Sequence, residues 1–566
     1  MFGISVIDLL VLVVYFVGIT LLGLWTRKNV RTSGDYFMAN RRFGKALMIA
    51  QAFGTGTHTD QPVSVAGASY TTGISGIWYQ WLWLFATPFY WIIAPIYRRL
   101  RYVTMADFFQ ERYGTGMAVF YTLVALMYFA MNIGLMLKGT GVTIEALTDG
   151  QMPEGPTIFL ATVLFVLYGL AGGLVAAVLT DAIQAVLILV LSFLLIPFAL
   201  ERAGGYAAIK AGLPEEMFTL VAPQEVTLFF ITMIVINGLV GVVVQPHHMA
   251  IGGSGRSEIA SRMGWCYGNF LKRFATVGWA FTGVFAAFLF PGLTLENREL
   301  AFGMMARNLL PVGFVGLMIA AALAAVMSTC DAFMVHSSAL FTRNIYLRFI
   351  RPGADERTLL RVGRWSSVAV VGGGLLFAFY FPSVVHGLMA LWKVTAFLGV
   401  AFWFGVMWRR ANRYGAMASA LVMSALSAYT GGMLSWPLEK QIALYLPAGI
   451  AAMVVFSRLT PPEPARKLEH FYTLLKTPVG REDELRKAGI PILLAGQAAT
   501  ASSSKQPSLL ERLLRPSDRD ELILPELLSG KKSFSWKKYR TDILGFSLAV
   551  LIVLAIIFLV FMLINI

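Results

Sequence analysis

The chain of 566 residues has little of what a water-soluble protein of its length uses. Asp, Glu, Lys and Arg together make up only 14% of it, where soluble globular chains carry about 25%. A water-facing surface of this size cannot be clothed with so few charges. Cys266 and Cys330 are the only cysteines, which excludes a disulfide scaffold. The neighbouring His247 and His248 are too few and too close to make a structural metal site. Acidic residues are also scarce, 31 against 46 basic ones, for a net charge of +15. In a soluble protein that excess would point to nucleic acid; in a membrane protein it labels orientation, because Lys and Arg gather in cytoplasmic loops.

What is abundant is apolar residue, 57% of the chain. Apolar runs of roughly 17 to 25 residues can cross a bilayer as helices. Such runs lie near 5–26, 44–68, 76–97, 117–145, 156–176, 179–200, 227–250, 274–292, 312–341, 365–386, 388–408, 414–435, 441–457 and 542–565. The first lacks a basic leader and carries Asp8, so it reads as a span rather than a cleavable signal.

The charges alternate between loops. Arg27, Lys28, Arg31, Arg41, Arg42 and Lys45 follow the first run, and Arg98, Arg99, Arg101 and Arg112 follow the third. The loop after the seventh is assigned Arg256, Arg262, Lys272 and Arg273; Arg343 to Arg364 follow the ninth, and Arg409, Arg410 and Arg413 the eleventh. The intervening loops lean acidic, with Asp149, Glu154, Glu215, Glu216, Glu225, Glu296 and Glu299. This alternation predicts a multi-pass protein of the cell membrane with both termini extracytoplasmic, and it removes the nucleic-acid reading. The stretch 458–541 is different: proline-rich at Pro461, Pro462 and Pro464, highly charged, and without a phosphate loop or kinase-like signature. It is expected on the cytoplasmic side, with Lys467–Lys476 lying on the membrane surface through Phe471, Tyr472, Leu474 and Leu475.

Against so apolar a background, polar groups inside spans are candidate functional residues. Gly54-Thr55-Gly56-Thr57-His58-Thr59-Asp60-Gln61-Pro62 is a poor continuous helix. Unwound backbone at bilayer depth is tolerated where it is buried in protein or lines a cavity. Its freed carbonyls can then coordinate a small cation, while His58, Asp60 and Gln61 face a solute; the alternative is a kink satisfied by neighbouring helices. In the ninth run, Ser328 and Thr329 offer two hydroxyls one turn after the carbonyl of Ala325, followed by Asp331. Hard oxygen ligands suit a cation such as sodium, although membrane Ser and Thr also bond back to the preceding turn. Asp181 either supports a cation or caps its helix. Lys393 either snorkels to the interface or anchors a carboxylate. His247 is either a solute contact or an interface residue, and Gln80 either a hydrogen-bonding group or a neighbour of belt aromatics.

These residues sit among ordered marks: Asp35-Tyr36-Phe37-Met38-Ala39; Thr104-Met105-Ala106-Asp107-Phe108 with Glu111-Arg112-Tyr113-Gly114; Tyr168-Gly169-Leu170-Ala171-Gly172-Gly173 leading to Thr180-Asp181-Ala182-Ile183-Gln184; Ala321 to Thr329 leading to Phe341-Thr342-Arg343-Asn344; and Trp408-Arg409-Arg410-Ala411-Asn412. As a set the chain resembles the sodium/solute symporter family, whose members include sodium/glucose and sodium/proline cotransporters. The resemblance implies an all-α polytopic membrane protein of about 14 transmembrane helices, with a ten-helix core of two inverted five-helix repeats, each opening on a broken helix. It divides the chain into a flanking helix and inner loop (1–39), the core (40–413), accessory helices (414–457), the polar segment (458–541) and a last helix (542–566).

The same resemblance implies sodium, as coupling ion, on the carbonyls of Gly54, Thr57 and Ala325 and the hydroxyls of Ser328 and Thr329. It places Asp181 at an additional sodium, and the solute at His58, Gln61 and Gln80, with Gln245-Pro246-His247 like the proline-transporter branch. Family members commonly have an asparagine–serine pair around His58 and an asparagine near His336, so Gly56-Thr57-His58, Asp331 and Lys393 are departures. With His58 and Lys393 opposed by Asp60, the expected solute is a carboxylate or zwitterion first and a sugar second. The expected partners are that solute, sodium and the bilayer, and the chain is expected to be a monomer or weak oligomer. Proton coupling, a transporter-like sensor and a membrane-embedded enzyme using His58 and Asp60 are the competing readings.

Overall fold

A computed structural model describes residues 3–26, 44–54, 56–222, 224–490 and 536–566; the side chains of 19, 20, 22–26, 167–185, 250, 328, 537 and 538 are not described. Among the described residues the protein is helical throughout, with no β-strand. Seven of its helices are long and apolar enough to cross a membrane, and shorter apolar helices accompany them. Helix stands at every predicted run, with differences in where it breaks.

The principal elements are α1 (Val6–Thr26), α2 (Lys45–Gly54), α3 (Asp60–Thr72), α4 (Thr87–Leu100), α5 (Met105–Tyr113), α6 (Thr115–Leu147) and α7 (Glu154–Ala203). They continue with α8 (Leu228–Gly241), α9 (His248–Gly253), α10 (Gly268–Leu289), α11 (Ala301–Leu309), α12 (Phe314–Phe341), α13 (Glu356–Tyr380), α14 (Val384–Met407), α15 (Arg413–Ala428), α16 (Leu438–Leu459), α17 (Ala465–Lys476) and α18 (Trp536–Asn565). The second predicted run is indeed two half-helices, α2 and α3. Glycines and Pro62 make a helix through that stretch costly, and polar side chains supply substitute hydrogen bonds. The third is also interrupted, with a short helix Trp78–Trp81 before α4.

Two expectations change. The runs 156–176 and 179–200 form the single helix α7, 50 residues long, where one crossing needs about 20. No proline lies between the two runs, and Gly172 and Gly173 are tolerated in apolar helices, whose backbone bonds have no water to compete with. In addition, Lys272 and Arg273 are not loop residues. Both lie inside α10 and are buried.

The cation-site helix α12 is held at its start from another element. Asp8 of α1 accepts the N–H groups of Gly313 and Gly316, each at 2.8 Å, which caps α12 at its positive end. The segment from Glu463 to Ile490 packs on protein instead of lying on lipid. Phe471, Tyr472, Leu474 and Leu475 of α17 are buried. Phe471 meets Phe108 edge to face, the Tyr472 hydroxyl donates to the Gly405 carbonyl at 3.0 Å, and Arg112 lies over both rings. The predicted amphipathic face is real, but it covers α5 and the end of α14. Glu463 clamps Arg413 at 3.0 Å and Lys467 at 3.1 Å, and Arg101 pairs with Glu482 at 3.0 Å.

Candidate functional site

The break between α2 and α3 is fixed from three sides. The Thr57 hydroxyl donates to the Phe53 carbonyl at 2.7 Å, which closes the end of α2. Thr59 reaches α6, donating to the Met136 carbonyl at 3.0 Å and lying 2.8 Å from the Thr140 hydroxyl. α6 comes this close because residue 139 is glycine: a Cβ there would lie 2.7 Å from the Asp60 Cα. From α10, the Lys272 ammonium donates to the Gly56 carbonyl, which also accepts from Gln61 Nε2 at 2.9 Å.

His58 and Asp60 form a buried pair, Nδ1 to Oδ1, and His58 Nε2 lies 3.2 Å from Gln61 Nε2. Asp60 is fully buried, and among the described residues its second oxygen has no hydrogen-bond partner; the same holds for Gln61 Oε1. A buried polar atom without a partner is costly and is a natural place for a ligand to bond.

Two cavities flank the break. The first, about 80 Å³, is lined by Gly56, His58 and Gln61 of the break and by Gln80 and Trp83. Tyr128 and Asn132 of α6, Gln245, His247 and His248, Asn269, Lys272 and Arg273 of α10, and Leu391, Trp392 and Thr395 of α14 complete its wall. Four of the expected solute residues, His58, Gln61, Gln80 and His247, therefore meet at one place. Asp60 stands behind His58. Lys393 is not brought there: Trp392 and Thr395 line the cavity, while Lys393 Nζ turns to Gln441 of α16 at 3.4 Å.

The second cavity, about 40 Å³, lies on the other face of the break, where Thr57 and His58 meet Ala321, Ala322 and Ala325 of α12. Phe53, Ile188 and Ala325 pack together beside it. Gly54 is buried, and its carbonyl accepts the Thr57 N–H at 3.2 Å. Thr329 is fully buried with no hydrogen-bond partner for its hydroxyl among the described residues. Asp331 is buried on the same helix. The expected roles of Ser328 and Asp181 fall outside the described side chains.

Lys272, Asn269, Asn132 and Tyr128 were not singled out from the sequence. The available signal was Lys272 itself, a cation only two residues before an apolar run.

A broken apolar helix flanked by two cavities, within a bundle of membrane-length helices, is the arrangement of a multi-pass membrane protein that carries a solute. The sequence profile of the sodium:solute symporter family matches residues 36–422, and the chain belongs to that family, with sodium as its coupling ion. Sodium/glucose cotransporter 4 of Danio rerio is 26% identical, over 74% of this chain and 71% of its own length. The osmoregulated proline transporter OpuE of Bacillus subtilis is 25% identical, over 73% and 86%. Among solved structures, a sodium-coupled sialic acid symporter in a substrate-bound, outward-open state has a TM-score of 0.66 at 18% identity, covering 81% of this chain and 99% of that one. Mhp1, a nucleobase-cation-symport-1 family transporter, has a TM-score of 0.51 at 15% identity, covering 77% and 97%. Both share the fold.

Proposed function

We propose that the protein is a sodium-coupled symporter that imports a small organic solute carrying a carboxylate, an amino acid or other zwitterion above all, by alternating access across the cell membrane. The observation that carries the solute class is the wall of the larger cavity. Lys272 and Arg273 stand on it beside the imidazoles of His58, His247 and His248, and the neighbouring carboxylate, Asp60, is engaged by His58. Two basic side chains and several N–H donors in a low-dielectric site favour an anionic group.

Sodium binds between the break and α12, on the carbonyls of Gly54, Thr57 and Ala325 and the hydroxyls of Ser328 and Thr329. Asp331 adds negative charge one turn on, and Asp181 serves a further sodium. The ion joins α2 and α3 to α12, and solute in the larger cavity adds the second bias. Each ligand drives the change only through its different affinity for the outward- and inward-open states. In this reading residues 40–413 are the two inverted repeats, 1–39 and 414–457 flank them, and 458–541 lies in the cytoplasm. The last helix, 542–566, returns the C-terminus to the outside. The working unit is a monomer or weak oligomer.

A neutral sugar is the second reading, favoured by the amides Gln61, Gln80, Asn132 and Asn269 around the same space. Melting of the purified protein against a panel of amino acids, carboxylates and sugars, with and without sodium, separates the two. A true solute stabilises by mass action, and more strongly in sodium. Stabilisation by sugars alone would refute the carboxylate assignment, and stabilisation indifferent to sodium would refute coupling.

A further inference from the structure

The unwound stretch presents carbonyls on two sides. Toward α12 lie Thr57 and the second cavity; toward α10 lies the Gly56 carbonyl, and there the Lys272 ammonium already sits. The contact is a built one. Lys272 is buried in α10 with its ammonium on the Gly56 carbonyl, and the turn that offers this carbonyl takes glycine because a Cβ at residue 56 would lie 2.9 Å from the Ala52 carbonyl oxygen. Carbonyls at the end of a half-helix carry the negative pole of its dipole. They are the oxygens a small monovalent cation takes from protein. An ammonium delivers the same unit charge to the same atom.

Resting on the symport reading, we propose that Lys272 is a tethered cation, occupying the carbonyl pole on the α10 side of the break in the place a second metal ion would take. Mobile sodium, at the α12 site and at the further one that Asp181 serves, then has no part at this pole. A tethered charge cannot be released to the inside, so this pole stabilises the unwound backbone in every state without drawing on the sodium gradient. It also sets an ammonium on the wall of the solute cavity.

The test needs no knowledge of the solute. Purified wild-type, Lys272→Ala and Lys272→Met proteins are melted against sodium chloride, with choline chloride keeping ionic strength constant, and separately against methylammonium. Wild type should be stabilised by sodium and not by methylammonium. Lys272→Ala should melt lower in choline and recover with methylammonium, which restores the missing ammonium, or through one sodium-dependent step more than wild type shows. Lys272→Met, which fills the volume without the charge, should melt lower and gain nothing from methylammonium. If Lys272→Ala follows the wild-type sodium curve and ignores methylammonium, the tethered-cation role is wrong. If folded Lys272→Met matches wild type in choline, it is equally wrong. Wild type that is itself indifferent to sodium would instead overturn the symport reading beneath it.

Discussion

Gly139 is the sharpest place to test whether the geometry of the break governs ion binding. Gly139→Ala adds one methyl group on α6, at 2.7 Å from the Asp60 Cα and 2.8 Å from the Asp60 nitrogen. Ordinary contact starts at 3.4 Å, so the start of α3 must retreat by about 0.7 Å, and the atoms in the way are backbone that no rotamer change can move. Overpacking of this kind costs about 1–3 kcal/mol. The backbone that gives way follows directly on the Thr57 carbonyl, so the cost falls on the sodium-bound geometry. At about 1.4 kcal/mol per decade, the sodium concentration for half-maximal stabilisation should rise about 5-fold to 140-fold. The assay is a sodium titration of melting temperature, with uptake by proteoliposomes once a solute is in hand. Gly116→Ala is the control: it lies in the same helix, and its added methyl meets nothing within 4 Å. A Gly139→Ala protein whose sodium titration stays within about twofold of Gly116→Ala would refute the reasoning, because about 0.4 kcal/mol is below any overpacking cost of this size.

Two further outcomes are expected. Ser328→Ala combined with Thr329→Ala should raise the sodium requirement at least about tenfold, since two ligand hydroxyls are lost and charge-assisted bonds are worth about 1.5–3 kcal/mol each; an unchanged sodium titration would remove both residues from the site. Docking of the segment around α17 should weaken in acid. Burial pushes the carboxyls of Glu463 and Glu482 up, but bonds from Arg413 and Lys467, and from Arg101, hold both below the ordinary value of 4.5. Their stabilisation is therefore complete above about pH 4.5 and is lost as pH falls from there through the lowered values. Protection factors of the amides of residues 463–482, with exchange rates corrected for their intrinsic dependence on pH, should be high at neutral pH and drop as pH falls below about 4.5, and protection unchanged between about pH 7 and about pH 3 would contradict it.

How far the sequence could be read depended on what each residue met. The apolar runs were legible because bilayer thickness dictates their length, and the break was legible because Gly54, Gly56 and Pro62 are poor helix formers wherever they stand. Lys272 and Arg273 were read as loop charges because counting basic residues treats a cation beside an apolar run as lying outside it. Only packing reveals that α10 starts earlier and carries both into a cavity. Lys393 had the opposite fate. Its depth in the run marked it for the solute path, but helical phase turns it to Gln441 while Trp392 takes the wall. The apolar face of α17 was visible in its periodicity; a periodic pattern, however, does not say whether lipid or protein covers it. Asp8 capping α12 across more than 300 residues of chain had no sequence signal at all.

The Gly405 carbonyl accepts both from Arg112, at 2.9 Å, and from the Tyr472 hydroxyl, so one backbone atom of α14 is shared by α5 and α17. Whatever displaces the end of α14 relative to α5 must therefore either carry α17 with it or let it go. Arg466, Glu469 and Lys476 stand exposed on the opposite face of α17. That makes α17 a dial as well as a fastening. A protein that grips its outer face and prefers one arrangement would slow or speed turnover, and by reciprocity its own hold would change with the solute load, so the exterior of the molecule would report how busy the transporter is.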